Sequence, residues 1–260
     1  MKKWKPWKGT IKLCILSTAL FTVIIWTIWG NTALMVNTVT VTAGRIPAAF
    51  SGFRIVQVSD LHNAEFGENN VRLLELLSES GPDIIVITGD LVDSGHTDID
   101  IAISFVEEAA RIAPVYYVTG NHEARLSQYD RLRNGLEAAD VSMLEDRAVE
   151  LERDGEKITL VGLSDPDFTV RSDIFGEVPA MVSTKLESLA DTESSYTILL
   201  SHRPELFESY ASSGIDLVLS GHAHGGQFRL PFIGGLVAPN QGLFPKYDAG
   251  LYTESSTQMV

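Results

Sequence analysis

The chain has 260 residues, 45% of them hydrophobic and 21% charged, which fits a large folded domain and excludes a disulfide-stapled peptide, a fibrous protein and a disordered tail. Lys2, Lys3, Lys5, Lys8 and Lys12 precede every acidic residue, so the formal net charge of −14 becomes −19 once those five lysines are set aside. A body that acidic repels polyanions, which argues against a nucleic-acid-binding face. The single cysteine, Cys14, rules out an intramolecular disulfide framework, a cysteine-rich zinc module and an iron–sulfur cluster, and reads as an inert apolar thiol.

In chain order, the first feature is an uncharged apolar run over residues 13–29. Its 17 residues sit at the lower edge of a membrane span, roughly 17–25, and exceed a signal-peptide core of roughly 7–15. The lysines ahead of it place the N-terminus in the cytoplasm and everything after Trp29 outside. Trp4, Trp7, Trp26 and Trp29 flank the run as an aromatic belt does. Cleavage at Ala33 is the weaker reading, because Asn31 is a poor partner two residues before a cut. Residues 1–30 are thus expected to form a basic cytoplasmic tail and a transmembrane signal-anchor, with an extracytoplasmic domain over 34–260 at the cell membrane.

Beyond the anchor, apolar strand runs alternate with amphipathic helical segments, the pattern of a layered α/β domain. Strands are expected over 34–42, 53–59, 84–88, 115–119, 148–152, 157–163, 196–201 and 215–220. Helices are expected over 70–80, 99–112, 128–139, 183–191 and 204–213. The proline- and glycine-rich stretch 230–252 reads as a long loop.

The polar residues at the strand ends carry the chemistry. Phe53–Val58 runs into Ser59-Asp60-Leu61-His62, where two residues spaced by two on an extended chain face one side. The next strands end in Gly89-Asp90 and Gly120-Asn121-His122-Glu123, and two later ones in Ser201-His202 and Ser220-Gly221-His222-Ala223-His224. Five of the six histidines therefore stand at the carboxyl ends of strands, where open α/β sheets bind ligands. Oxygen and imidazole donors without a thiolate suit two divalent ions drawn from manganese, iron and zinc.

The ordered set Asp-x-His, Gly-Asp, Gly-Asn-His-Glu, His and Gly-His-x-His, spanning residues 53–227, resembles the calcineurin-like metallophosphoesterases. The N-terminal apolar segment and Asp165-Pro166 make it similar to the bacterial membrane-associated branch. The resemblance implies a four-layer α/β/β/α sandwich and a binuclear metal centre. It assigns Asp60, His62 and His224 to one ion and Asn121, His202 and His222 to the other, with Asp90 bridging and Gly89 removing bulk beside it. It implies a phosphate-ester substrate, more in keeping with a phosphodiesterase than a phosphoprotein phosphatase, and gives His122 the role of assisting the leaving oxygen. Glu123 is expected to orient His122.

Alternatives are a hydrolase of a lipid-linked nucleotide sugar such as UDP-diacylglucosamine, using the apolar loop 230–251, and a non-catalytic metal-stabilised binding module. His96 is expected to face solvent, and Arg203 and Arg125 to form surface salt bridges. The C-terminal Thr257-Gln258-Met259-Val260 reads as the first half of a strand, pointing to a truncated sheet or an unpaired edge.

Overall fold

The structure, a computed structural model, describes residues 7–170, 176–190, 192, 194–230 and 234–260. It divides into two compact units, Met1–Asn37 and Thr38–Val260.

The first unit is one helix, α1 (Trp7–Thr32). Its segment Gly9–Gly30, with a mean hydropathy of 2.1, is long and apolar enough to cross a membrane, and its side chains are exposed. The helix starts before the expected apolar run, taking in Lys8 and Lys12, because lysine is a good helix former.

In the second unit, β1 (Ile55–Val58), β2 (Ile84–Thr88), β3 (Val115–Val118) and β4 (Ser142–Met143) form a parallel sheet in that order. The connections carry α2 (Val71–Glu79), α3 (Ile99–Ala110), and then α4 (Asn121–Arg125) and α5 (Tyr129–Ala138). A second sheet combines the antiparallel hairpin β5 (Arg147–Arg153) and β6 (Glu156–Gly162) with the parallel strands β7 (Thr197–Ser201) and β8 (Leu217–Ser220). Helices α6 (Glu177–Leu189) and α7 (Phe207–Ser212) lie between these strands in sequence. A third, small antiparallel sheet holds β9 (Gln227–Leu230), β10 (Gly234–Ala238) and β11 (Gly242–Leu243). The chain closes with β12 (Tyr252–Glu254) and β13 (Thr257–Met259), giving the second sheet the order β12-β13-β8-β7-β6-β5.

Period-two alternation sorts the apolar side chains into three layers. Ile85 and Ile87 of β2 face α2, α3 and α5, packing with Leu77, Phe105, Val106, Leu132 and Leu136. Ile84 and Val86 of the same strand point the other way, meeting Leu160, Ile198, Leu200 and Leu219 of the second sheet. The far face of that sheet, with Val161, Leu199 and Val218, is covered by Val182 and Leu186 of α6 and Phe207 and Tyr210 of α7. Three apolar layers between four sets of elements make the expected α/β/β/α sandwich. A central strand buried on both faces has to be apolar at every position, as β2 is. All three layers are built from residues at or after Val41, so the second unit carries its own core.

Several elements differ from expectation. Residues 34–42 form no strand: their β-branched alternation favours an extended chain, but no sheet edge pairs with it, and only Val41 packs on the inter-sheet layer. Helix α6 begins at Glu177, six residues early, because Pro179 lies in its first turn, where a missing N–H costs nothing. Its expected end, Asp191, lies outside the described residues. The stretch 230–252 contains β10 and β11, with residues 231–233 outside the described residues. Strand β13 is interior, paired with β8 on one side and β12 on the other, so it leaves no open edge.

Candidate metal centre

The expected site residues converge where strands of the two large sheets end. After β1 and β2 the two chains stay paired: the Asp60 and His62 N–H groups donate to the carbonyls of Gly89 and Asp90, both at 3.0 Å. The backbone there is not extended. Asp60, His62, Asp90, His222 and His224 all have left-handed φ angles, from 48° to 66°. Asp60 and His62 therefore converge through successive left-handed turns and not through strand alternation, and so do His222 and His224. Asp and His tolerate this region better than bulkier residues, at about 1–2 kcal/mol each, and such strain gathers at functional sites.

Gly89, at φ +91°, carries the close approach: a Cβ on it would stand 2.6 Å from the Gly120 nitrogen and 2.7 Å from His202 Nδ1. Only glycine lets β2 deliver Asp90 between the β3 end and His202.

Among the described residues three groups of donor atoms are each compact enough to hold a metal ion: Asp60 with His62 and His224, Asp90 with His202 and His222, and a third, His62 with Asp93 and His122, that shares His62 with the first. In the first, Asp60 Oδ1 lies 4.0 Å from His62 Nε2 and 3.6 Å from His224 Nε2, and the His62 and His224 rings stack with centroids 5.0 Å apart. In the second, Asp90 Oδ2 is 3.2 Å from His202 Nε2, which lies 3.1 Å from His222 Nδ1. The same Asp90 Oδ2 is 3.6 Å from His62 Nε2 and so stands between the groups.

Oxygen and nitrogen donors without a thiolate match a divalent cation. Buried polar atoms normally find a hydrogen-bond partner. Among the described residues, both ring nitrogens of His62 and Asn121 Oδ1 are buried with no hydrogen-bond partner, which leaves them able to serve as ligand atoms.

The charges of the cluster act on one another. Burial works against the Asp90 carboxylate, but the hydrogen bond and charge of His202 hold its pKa well below the usual range. Burial likewise lowers the His202 imidazole, yet Asp90 outweighs it and pushes the pKa up to about 9. His222 is driven down to about 2 by burial and by the positive charges of His202 and Arg203.

His122, on α4, is partly exposed beside this cluster, its ring centroid 4.4 Å from that of His62. The Ser94 backbone N–H donates to its Nδ1 at 3.0 Å. A backbone N–H can only donate, so the neutral ring carries its proton on Nε2. Its own N–H donates to Asp90 Oδ1 at 2.8 Å.

Glu123 does not orient His122. Its fully buried carboxylate accepts the N–H groups of Gly120 at 2.7 Å, Asp90 at 2.9 Å and Val92 at 3.3 Å. It ties the loop after β2 to the loop after β3. The local reason is helical: α4 starts at Asn121, so Asn121, His122 and Glu123 diverge by about 100° per residue.

Arg203 departs from its expected surface role. It is buried, with a bidentate pair to Asp165 at 2.6 and 2.7 Å, a bond to Asp167 at 2.9 Å, and Nη1 3.4 Å from His222 Nε2. Arg125 does form an exposed pair with Asp167, at 2.7 Å, and the His96 side chain is exposed.

Three neighbours escaped the sequence reading. Asp93 Oδ2 lies 3.9 Å from both His62 Nδ1 and His122 Nδ1, and its place three residues after Asp90 was the available signal. Asp165 is marked in the sequence only by the Asp165-Pro166 pair, and Asn240, whose Nδ2 is 3.3 Å from His222 Nε2, has no local signal beyond a turn.

The calcineurin-like phosphoesterase family profile matches residues 53–226. The chain is 29% identical to an uncharacterised metallophosphoesterase of Bacillus subtilis, YkuE, over 85% of this chain and 74% of that one. It is 28% identical to a Bos taurus transmembrane protein with a metallophosphoesterase domain, over 86% of this chain and about half, 51%, of the relative. Among solved structures, the phosphopantetheinyl hydrolase of Mycobacterium tuberculosis superposes with a TM-score of 0.52 at 17% identity, covering 79% of this chain and 87% of that one. TT1561 of Thermus thermophilus gives 0.53 at 14% identity, covering 80% and 88%. At these identities the structural likenesses speak to the fold alone.

Proposed function

The chain belongs to the calcineurin-like phosphoesterases, and on that basis we propose that it is a two-metal hydrolase of phosphodiesters, anchored in the cell membrane by α1 with its catalytic unit outside the cytoplasm. The observation that carries this is Asp90 Oδ2, set 3.2 Å from His202 Nε2 and 3.6 Å from His62 Nε2, between two donor groups. Asp60, His62 and His224 would hold one ion, and Asn121, His202 and His222 the other, with Asp90 shared. Manganese, iron or zinc suits that mixed donor set. Divalent cations held there supply Lewis-acid polarisation of the ester and activation of the attacking water.

The chain's own residues do the rest. His122, with its proton on Nε2, would donate a hydrogen bond from that atom to the departing ester oxygen and stabilise the negative charge that develops there. Ser94 keeps it in this tautomer, and the His122 N–H to Asp90 Oδ1 bond ties acid and bridging carboxylate to one geometry. Ser59 Oγ donates to Asp60 Oδ2 at 2.6 Å and the His222 N–H reaches the same oxygen at 3.0 Å, orienting that carboxylate. A diester carries one negative charge at neutral pH and a monoester nearly two, so a body of net charge −19 favours the diester. The five lysines ahead of the uncharged run 13–29 support the outward orientation.

The test uses the full chain in detergent, stripped of metal and reloaded with manganese, on an aryl phosphodiester and an aryl monoester. Wild type is expected to prefer the diester, and Asp90→Asn to abolish hydrolysis because both ions lose a shared anionic ligand. Wild-type activity in Asp90→Asn overturns the two-metal assignment, and preference for the monoester overturns the diester one.

A further inference from the structure

Beyond His224 the chain builds the small sheet β11-β10-β9, separate from both large sheets. Its β10–β11 turn reaches the metal centre, with Asn240 Nδ2 3.3 Å from His222 Nε2 and 2.9 Å from Glu205 Oε1. Three and four residues later come Leu243 and Phe244, 74% and 72% exposed. At roughly 3.3 Å per residue, and allowing for the Asn240 side chain, their backbone stands within about 20 Å of the His222 ring.

The fold offers no reason of its own for Phe244. Its φ is +55°, a left-handed conformation that asparagine or glycine adopts with less strain than an aromatic residue. Its ring is nevertheless held out in solvent, where it adds nothing to the core. Leu243 precedes it, so two large apolar side chains project together.

The surrounding charge is also exceptional for this molecule. From Gly234 to Leu251 the only charged residues are Lys246 and Asp248, in a body whose net charge is −19. Asp248 is occupied within the fold, accepting from the Gly235 N–H at 2.8 Å and from Arg229 at 3.1 Å. Lys246 is paired with Glu208 at 2.9 Å, so the segment carries no unpaired charge of its own, although Glu205 and Glu208 stand beside it.

We propose that the β10–β11 hairpin docks the catalytic unit onto a lipid surface, with Leu243 and Phe244 entering the boundary between headgroups and acyl chains. A lipid surface is the occupant that fits. The chain carries its own membrane-length apolar segment, Gly9–Gly30, which ends eight positions before the second unit begins at Thr38. The hairpin is neutral, and its apolar pair has the composition of an interfacial anchor. With Asn240 at the metal centre, docking would hold the centre close to phosphate esters presented at that surface; this last step rests on the phosphoesterase reading, while the docking itself does not.

The test uses residues 38–260, which carry their own core, so that α1 cannot supply the binding. Sedimentation with phosphatidylcholine–phosphatidylglycerol vesicles is compared for wild type and the double variant Leu243→Ser, Phe244→Asn. Wild type is expected to sediment with the vesicles, and the variant to bind about tenfold less or weaker still, the scale for withdrawing a large apolar side chain. Asparagine suits φ +55°, so the variant should melt no lower than wild type. Neither residue belongs to the metal centre, so its rate on a soluble aryl phosphodiester should be unchanged. Wild type left in the supernatant, a variant that binds equally, or a wild-type dimer that the variant dissociates each overturns the proposal, the last because a second copy then covers the hairpin. Vesicle binding lost in the variant, with no turnover by either protein, upholds docking and rejects the enzymatic reading.

Discussion

Glu123 offers the sharpest test of how the metal loops are held. Its carboxylate is fully buried and accepts from Gly120, Asp90 and Val92 N–H groups. Glu123→Ala leaves those three donors without an acceptor, at about 1–3 kcal/mol each. The Val92 contact, at 3.3 Å, is the weakest, so the sum is about 3–6 kcal/mol, a large part of the roughly 5–15 kcal/mol that holds a domain folded. Glu123→Gln behaves differently. Its one carbonyl oxygen can take the Gly120 and Asp90 donors, leaving the amide NH₂ against the long Val92 contact, for a loss of about 1–2 kcal/mol.

The pH dependence has a definite sign. Burial, and then the Asp90 charge, push the Glu123 pKa up to about 7 from the ordinary 4.5. An acid raised in the folded state contributes stability below its unfolded pKa and loses that contribution as pH rises through the folded one. Metal-free wild type should therefore lose stability relative to Glu123→Gln between pH 4.5 and about 7. Urea unfolding of the metal-free proteins on either side of that window measures both effects, with metal content after reloading as the functional counterpart. Glu123→Ala within about 1 kcal/mol of wild type, or a Gln variant weaker than the Ala variant, would refute the anchoring role.

His122→Ala should leave metal content near wild type and slow alkyl phosphodiesters far more than aryl ones, by about 10²–10⁴-fold where a proton is needed. His222→Ala should instead lose metal and slow both, and metal loss from the His122 variant would move His122 into the ligand set. Because Asp90 raises the His202 pKa to about 9, an incoming cation must displace a proton there, so calorimetric metal affinity should rise up to about tenfold per pH unit from 6.5 to 9. A flat profile contradicts the His202–Asp90 pairing. That raised pKa also means His202 stabilises the metal-free fold fully below 6.5 and ceases to as pH passes about 9. A reporter fused after Val260 should be active only in an extracytoplasmic format, and cytoplasmic activity would reverse the proposed orientation.

Most of the layered architecture could be read locally. Apolar runs such as Ile84–Thr88 are strands buried on both faces, and helices such as α3 combine an N-cap, Asp98, with apolar residues at helical spacing. Failures fell where an element needs a distant partner. The β-branched pattern over 34–42 looks like a strand from within, but a strand exists only when another chain segment accepts its hydrogen bonds. Strands β10 and β11 hid in a proline- and glycine-rich stretch because each is stabilised by its neighbour and not by its own composition.

By itself, the sequence marked the candidate cation ligands: Asp60, His62, Asp90, Asn121, His202, His222 and His224 stand at strand ends as donors in a fixed order. Tertiary structure alone decided how they meet. Left-handed turns, and not strand alternation, aim the Asp60–His62 and His222–His224 pairs. It also decided that Glu123 grips backbone and leaves His122 to Ser94, and that Arg203 is buried against Asp165, two residues 38 positions apart. Residue chemistry is local and can be read in one dimension. Hydrogen-bond partnership and burial depend on which strand ends the fold brings together, and no spacing along the chain encodes that distance.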